Sequence, residues 1–157
     1  MKLYDHTINT LSGEPLDLTS FKGKKVLLVN VASECGLTPQ YEQLQQIYEE
    51  YGGDHFVIIG IPSNDFMGQE PGTPEQIATF CSRNYGVSFP LTEKVHVKGE
   101  NQHPLFTWLC HSGEKGEELE VKWNFHKFLI DENGDFVCDI DPRTLPNDKK
   151  ITDWINS

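Results

Sequence analysis

A cysteine stands at position 35 in SECGLT (33–38), where the apolar run KVLLVNVA (25–32) gives way to the helix signal Thr38-Pro39. A thiol in such a place can be a small packed hydrophobe, half of a disulfide, or a nucleophile. The loop between a strand and a helix favours the third reading, because N–H groups of the following turn stabilise a thiolate, the reactive form. Gly36 leaves room for an incoming substrate, while Glu34 would raise the thiol pKa if its carboxylate turned inward. Two other stretches are rich in polar groups: NDFMGQEPG (64–72) carries Gln69, and Trp123-Asn124 directly precedes FHKFLI (125–130). Taken singly, Gln69 reads as a loop residue and Trp123 as core. Together, two amides and an indole are neutral donors able to hold a sulfur anion and a departing hydroxide without adding a titratable group.

These residues need a scaffold that gathers them. KVLLVNVA and FVIIGI (56–61) are continuous apolar runs, the pattern of strands covered on both faces of a parallel sheet. Between them Thr38-Pro39 reads as N-cap and first helical residue, Tyr41, Leu44, Tyr48 and Tyr51 recur at helical spacing, and Gly52-Gly53 ends the helix. That is a βαβ crossover. A second helix opens on the capping box of Thr73 and Gln76, shows Ile77, Phe80 and Cys81 on one face and stops at Gly86. A short helix follows at 103–111. FHKFLI and FVCDI (136–140) flank Asn133-Gly134, a hairpin signal, and a last helix spans about 147–155. A βαβ unit, then a hairpin and a helix, is the thioredoxin arrangement. Here it gains an N-terminal β-hairpin (YDHTI and PLDL around Gly13) and a segment inserted between its halves. The class is α/β, with residues 1–157 in one domain.

Composition excludes several functions. The net charge of −11 repels nucleic acid and anionic lipid, and KGKK (22–25), the densest basic stretch, reads as a solvated turn. No apolar run nears the ~20 residues of a membrane span, and MKLYDHTINT has no signal-peptide core, which points to a cytoplasmic protein without stable membrane insertion. The four cysteines, at 35, 81, 110 and 138, form no C-x-x-C pair, so reduced thiols are expected. His103, Cys110 and His111 lack metal-ligand spacing, and no metal is expected.

VNVASECGLTPQY, GQEPGTPEQI, FCSRNYGVSFP and KWNFHKFLI, in that order over almost the whole chain, resemble the glutathione peroxidase family in its cysteine, non-seleno form. The resemblance implies a thioredoxin fold, reduction of hydrogen peroxide and organic or lipid hydroperoxides, no cofactor beyond a thiol reductant, and a catalytic tetrad of Cys35, Gln69, Trp123 and Asn124. It also implies that Cys81 is the resolving cysteine of the thioredoxin-dependent members, forming a Cys35–Cys81 disulfide that thioredoxin reduces. Cys81 shares a helical face with Ile77 and Phe80, so that disulfide requires the helix to unwind in part. Cys110 is a less fitting substitute, and Cys138 is given no role. The chain departs from the family at Ser63, at Asp65, at Glu34 and at His126, where Thr is common; none of these is in the tetrad. Glutathione acting directly on an oxidised Cys35 is the alternative reductant, against which stands the lack of any Lys or Arg cluster near the motifs. A peroxide sensor that relays oxidation to a partner protein would use the same residues. A monomer is expected.

Overall fold

The computed structural model describes residues 1–113 and 116–157. A short hairpin of β1 (Ile8–Asn9) and β2 (Pro15–Leu16) leads into β3 (Lys25–Val31), α1 (Gln40–Tyr51) and β4 (Phe56–Pro62). Then come α2 (Pro74–Tyr85), α3 (Pro104–Cys110), β5 (Lys127–Ile130), β6 (Phe136–Ile140) and α4 (Lys149–Ile155). The main sheet has the order β4-β3-β5-β6, with β3 and β4 parallel and β5 antiparallel to both β3 and β6. This is the thioredoxin arrangement expected from the sequence, carrying both its N-terminal hairpin and its inserted segment.

All seven residues of β3 and of β4 are buried, which is why both read as unbroken apolar runs. Val26 and Leu28 face a core with Leu105, Phe106 and Leu109 of α3. Leu27, Val29 and Val31 face a second core with Tyr41 and Leu44 of α1, Ile77 and Cys81 of α2, and Ile151 of α4. Rings run through this second core: Phe125 meets Tyr41 edge-on at 5.3 Å, Tyr41 meets Tyr85 of α2 at 5.5 Å, and Tyr85 meets Phe80 at 6.0 Å.

The capping box of α2 forms: Thr73 Oγ1 accepts from Gln76 N at 3.2 Å, and Gln76 Oε1 accepts from Thr73 N at 2.9 Å. Gly86 ends the helix in the left-handed region, at φ 59°. The Asn133-Gly134 turn also forms, but as a longer loop: Asp131 N donates to Asp135 O, and the Asp131 carboxylate accepts from the N–H groups of Asn133 and Asp135.

Three local expectations need correction. α1 starts at Gln40, and Thr38 does not cap it. FHKFLI is strand only from Lys127, because Phe125 takes a left-handed backbone, φ 67°, and turns the chain before β5 begins. KGKK is not solvated throughout, since Lys25 is buried and its Nζ donates to the carbonyls of Trp154 and Ser157 at 2.7 Å each.

The topology sets where chemistry can happen. Cys35 follows the carboxyl end of β3 and Gln69 that of its parallel neighbour β4. Because β5 runs antiparallel, with Lys127 opposite Val29, the residues just before it arrive at the same edge. Three segments far apart in sequence therefore meet there.

Candidate active site

Thr38, freed from capping, closes a tight loop around Cys35. Its Oγ1 accepts from Cys35 N at 3.0 Å and donates to Ala32 O at 2.8 Å, and its own N–H donates to Cys35 O at 3.0 Å. The loop aims Leu37 N–H at Cys35 Sγ, 3.3 Å away, so the sulfur already holds one backbone donor. Glu34 is exposed, away from the buried thiol. A methyl on Gly36 would meet nothing within 4 Å, so the floor beside the sulfur is open.

Cys35 and Trp123 line one cavity of about 700 Å3. Gln69 and Asn124 are not among the residues that line it; they are joined to each other and to the Cys35 loop, Asn124 Nδ2 donating to Gln69 Oε1 at 2.9 Å and Glu34 N donating to Gln69 O at 3.0 Å. Asn124 is fully buried, and its Oδ1 has no hydrogen-bond partner among the described residues. The Trp123 ring leans on Phe66 at 5.2 Å. Its carbonyl accepts from Asn30 Nδ2 at 2.9 Å, while Phe125 N donates to Asn30 O at 2.6 Å. A buried Asn inside β3 thus fastens both sides of the Trp-Asn turn. Sequence reasoning passed over it, although an amide within KVLLVNVA was a visible signal.

Three more side chains escaped notice. Lys122 and Arg143 line the Cys35 cavity, with Asp141 beside them. The sequence places these cations 21 positions apart and no cluster is visible in it; the fold brings them together, which overturns the expectation of no positive patch near the motifs. Lys127 is fully buried, and its ammonium donates to the carbonyls of Pro142 at 2.8 Å and Thr144 at 2.5 Å. Gln40 Nε2 also donates to Pro142 O, at 2.8 Å. Together they fix the loop that holds Arg143 over the cavity. Burial pulls Lys127 down to about 7. A lysine inside FHKFLI was the signal.

Of the departures from the family pattern, Asp65 adds no free charge. Burial works to raise its carboxyl, but bonds from His96 Nδ1 at 2.7 Å and Val97 N at 2.7 Å outweigh it and hold the group below its ordinary value. Ser63 is buried and accepts from Asp65 N. His126 is buried between Lys122 N and Asp139. Glu70, next to Gln69, is buried as well; burial raises its carboxyl, with Ser33 Oγ donating to it at 3.1 Å.

Cys81 lies in the same apolar core as Cys35, and both thiols are free. Burial pushes the Cys81 thiol up to about 11; the Tyr41 hydroxyl beside it pulls the other way and Glu70 adds to the rise. Only Ile77 and Cys81 of α2 are buried, with Phe80 and Tyr85 half-buried and the other eight positions exposed. Cys110 is buried on α3, Cys138 half-buried on β6. Among the described residues no group of three or more His, Cys, Asp or Glu could hold a metal ion, and no helix is long and apolar enough to cross a membrane.

Comparison with known proteins places this geometry. The family described as glutathione peroxidase matches residues 3–110. The glutathione peroxidase homolog BsaA of Staphylococcus epidermidis is 47% identical over 148 residues, 94% of each chain. The crystal structure of Trgpx in its apo form superposes with a TM-score of 0.76 at 35% identity, covering 100% of this chain and 97% of that one. At the level of fold alone, a thioredoxin-family thiol:disulfide interchange protein from Chlorobium tepidum gives a TM-score of 0.64 at 18% identity, over 97% and 93% of the two chains.

Proposed function

This chain belongs to the glutathione peroxidase family, and we propose that its peroxidase chemistry runs on Cys35, with Gln69, Trp123 and Asn124 as the surrounding donors and Cys81 as the resolving thiol. The Cys35 thiolate attacks the terminal oxygen of hydrogen peroxide or an organic hydroperoxide. The O–O bond breaks, water or an alcohol leaves with the proton, and sulfur becomes a sulfenic acid. Neutral donors suit this step, because they stabilise negative charge on sulfur and on the departing oxygen without competing for the proton. The Cys81 thiolate then attacks Cys35 Sγ and expels hydroxide, and thioredoxin reduces the disulfide by thiol exchange. Neither half draws on a metal or bound cofactor.

The observation that carries this reading is the Cys35 sulfur itself, held at 3.3 Å by Leu37 N–H and opening on the cavity shared with Trp123. For the resolving step the support is the thin buried stripe of α2, which leaves Cys81 on a lightly anchored helix face near the site. A second reading has an observation of its own. Lys122 and Arg143 over the cavity offer cations to the carboxylates of glutathione, which would then reduce the sulfenic acid directly.

A coupled assay supplied separately with thioredoxin and with glutathione separates the two, with mass mapping of the oxidised protein. Cys35→Ser is expected to lose all peroxide consumption. Cys81→Ser is expected to be oxidised once and then to stall with thioredoxin. Unimpaired thioredoxin-driven turnover in Cys81→Ser would reduce that residue to packing, and turnover with glutathione but not with thioredoxin would favour the second reading.

A further inference from the structure

Trp123 and Asn124 stand on a backbone segment that is held from beneath by His126. The imidazole is fully buried and stacked on Phe128, with ring centroids 4.6 Å apart. Its Nδ1 lies 3.1 Å from Lys122 N and its Nε2 lies 2.7 Å from Asp139 Oδ2. A backbone N–H can only donate, so Nδ1 carries the lone pair and Nε2 the proton, which Asp139 accepts. The partners on the two sides fix the tautomer.

We propose that His126 is a positioning residue whose bare Nδ1 anchors Lys122 N–H and so sets the backbone from which Trp123 and Asn124 serve Cys35, and that a proton on Nδ1 releases this segment. With both nitrogens protonated, Nδ1–H would face N–H, and two donors cannot bond. The Lys122 amide would be left without its acceptor. Release is one-sided: the imidazolium would bind the Asp139 carboxylate more tightly, so the ring stays on β6 while the segment before Trp123 comes free.

The charged groups facing the ring are Asp139 of β6, Asp141 in the loop after it, Lys122 of the held segment and Lys127 of β5; across from Asp139 lies the Cys110 thiol of α3. The carboxylates favour the imidazolium. Burial and the two ammonium groups oppose it and win, holding the ring neutral somewhat below the ordinary imidazole range. The anchor is therefore closed at neutral pH and opens only in acid.

This inference rests on the proposed function in one respect, that Trp123 and Asn124 serve Cys35. Its test has a spectroscopic arm and a kinetic one. In reduced, nitrogen-15-labelled protein at neutral pH, Nε2 is expected to carry the proton and Nδ1 to be bare. On acidification the Lys122 amide and Trp123 indole resonances are expected to move with the His126 midpoint. In stopped flow, the rate of Cys35 oxidation divided by its thiolate fraction is expected to fall through that midpoint and level off about tenfold lower, once the anchor is fully released. His126→Phe keeps the stack, loses the acceptor and is expected to be slower by about tenfold at every pH, the size of one lost bond to a buried amide. His126→Asn puts an amide oxygen near the place of Nδ1 with no proton to gain. It is expected to recover most of the neutral-pH rate lost in His126→Phe and to lack the acid fall. A proton found on Nδ1 at neutral pH, a Lys122 amide indifferent to the His126 titration, or an unchanged acid fall in His126→Asn would each overturn the proposal. If peroxide leaves wild-type Cys35 untouched, the peroxidase reading fails instead, while the tautomer and the Lys122 resonance still decide the anchor.

Discussion

In the proposed mechanism the resolving step requires α2 to let go of Cys81, and the ends of that helix are where it can be loosened without touching the site. Thr73→Ala removes the hydroxyl that accepts from Gln76 N at 3.2 Å. Losing an N-cap of this kind costs about 1 kcal/mol. Gly86→Ala places a Cβ on a backbone at φ 59°, and a left-handed conformation costs an L-residue about 1 kcal/mol or more. Each change should raise the open population of α2 about fivefold. The two sites are thirteen residues apart at opposite helix ends and share no partner, so the double variant should reach about twenty-five-fold. Opening also changes Cys81 chemically. Held in place its thiol is pushed up to about 11, against an ordinary value of 9.0, so release raises its thiolate fraction about a hundredfold at neutral pH. The assay is a single turnover: one equivalent of hydrogen peroxide, rapid quench with an alkylating agent, and mass counting of free thiols. Cys35 oxidation should proceed as in wild type, while formation of the Cys35–Cys81 disulfide accelerates by the factors above. A disulfide rate unchanged in the double variant, with α2 shown by amide exchange to be looser, would refute opening as the gate.

The same shift predicts how Cys81 meets a reagent. In a Cys35→Ser background its alkylation should stay slow through pH 9 and climb only toward 11, and a profile centred on the ordinary thiol value would show that burial does not control it. Lys127 gives a stability test of known sign. Its folded value of about 7 lies below the ordinary 10.5, so above pH 7 the unfolded chain binds more protons than the folded one, and stability rises with pH. Urea midpoints should therefore increase from pH 7 to 9 in wild type and stay flat in Lys127→Met, while above pH 9 the raised Cys81 and Tyr41 pull the other way.

What could be read in advance is what local sequence controls. The βαβ unit was visible because β3 and β4 are buried on both faces, and an unbroken Val, Leu and Ile run bounded by turn residues suits a buried strand far better than an exposed element. The α2 capping box was visible because its four residues determine it. The site's convergence on one sheet edge followed once the strand order was right. What stayed hidden is tertiary. Thr38-Pro39 has the form of a helix start, yet the Thr38 hydroxyl is taken up by Ala32 O and Cys35 N, a competition that propensity does not describe. Phe125 reads as strand, but its bond to Asn30 O goes with a left-handed backbone no local pattern announces. Lys122 and Arg143 line one cavity because the loop after β6, tied down at Pro142 by Lys127 and Gln40, folds back over it.

The chain of rings from Phe125 through Tyr41 to Tyr85 and Phe80 has one more effect. Its last two members ride on α2. Should that helix lift as the proposed disulfide requires, Tyr41 and its neighbours would lose their roof, and a greasy face would be bared on a molecule otherwise coated in acidic groups. The oxidised form would thus be stickier than the reduced one, and a visiting protein could tell which it had met by touch before any sulfur was exchanged.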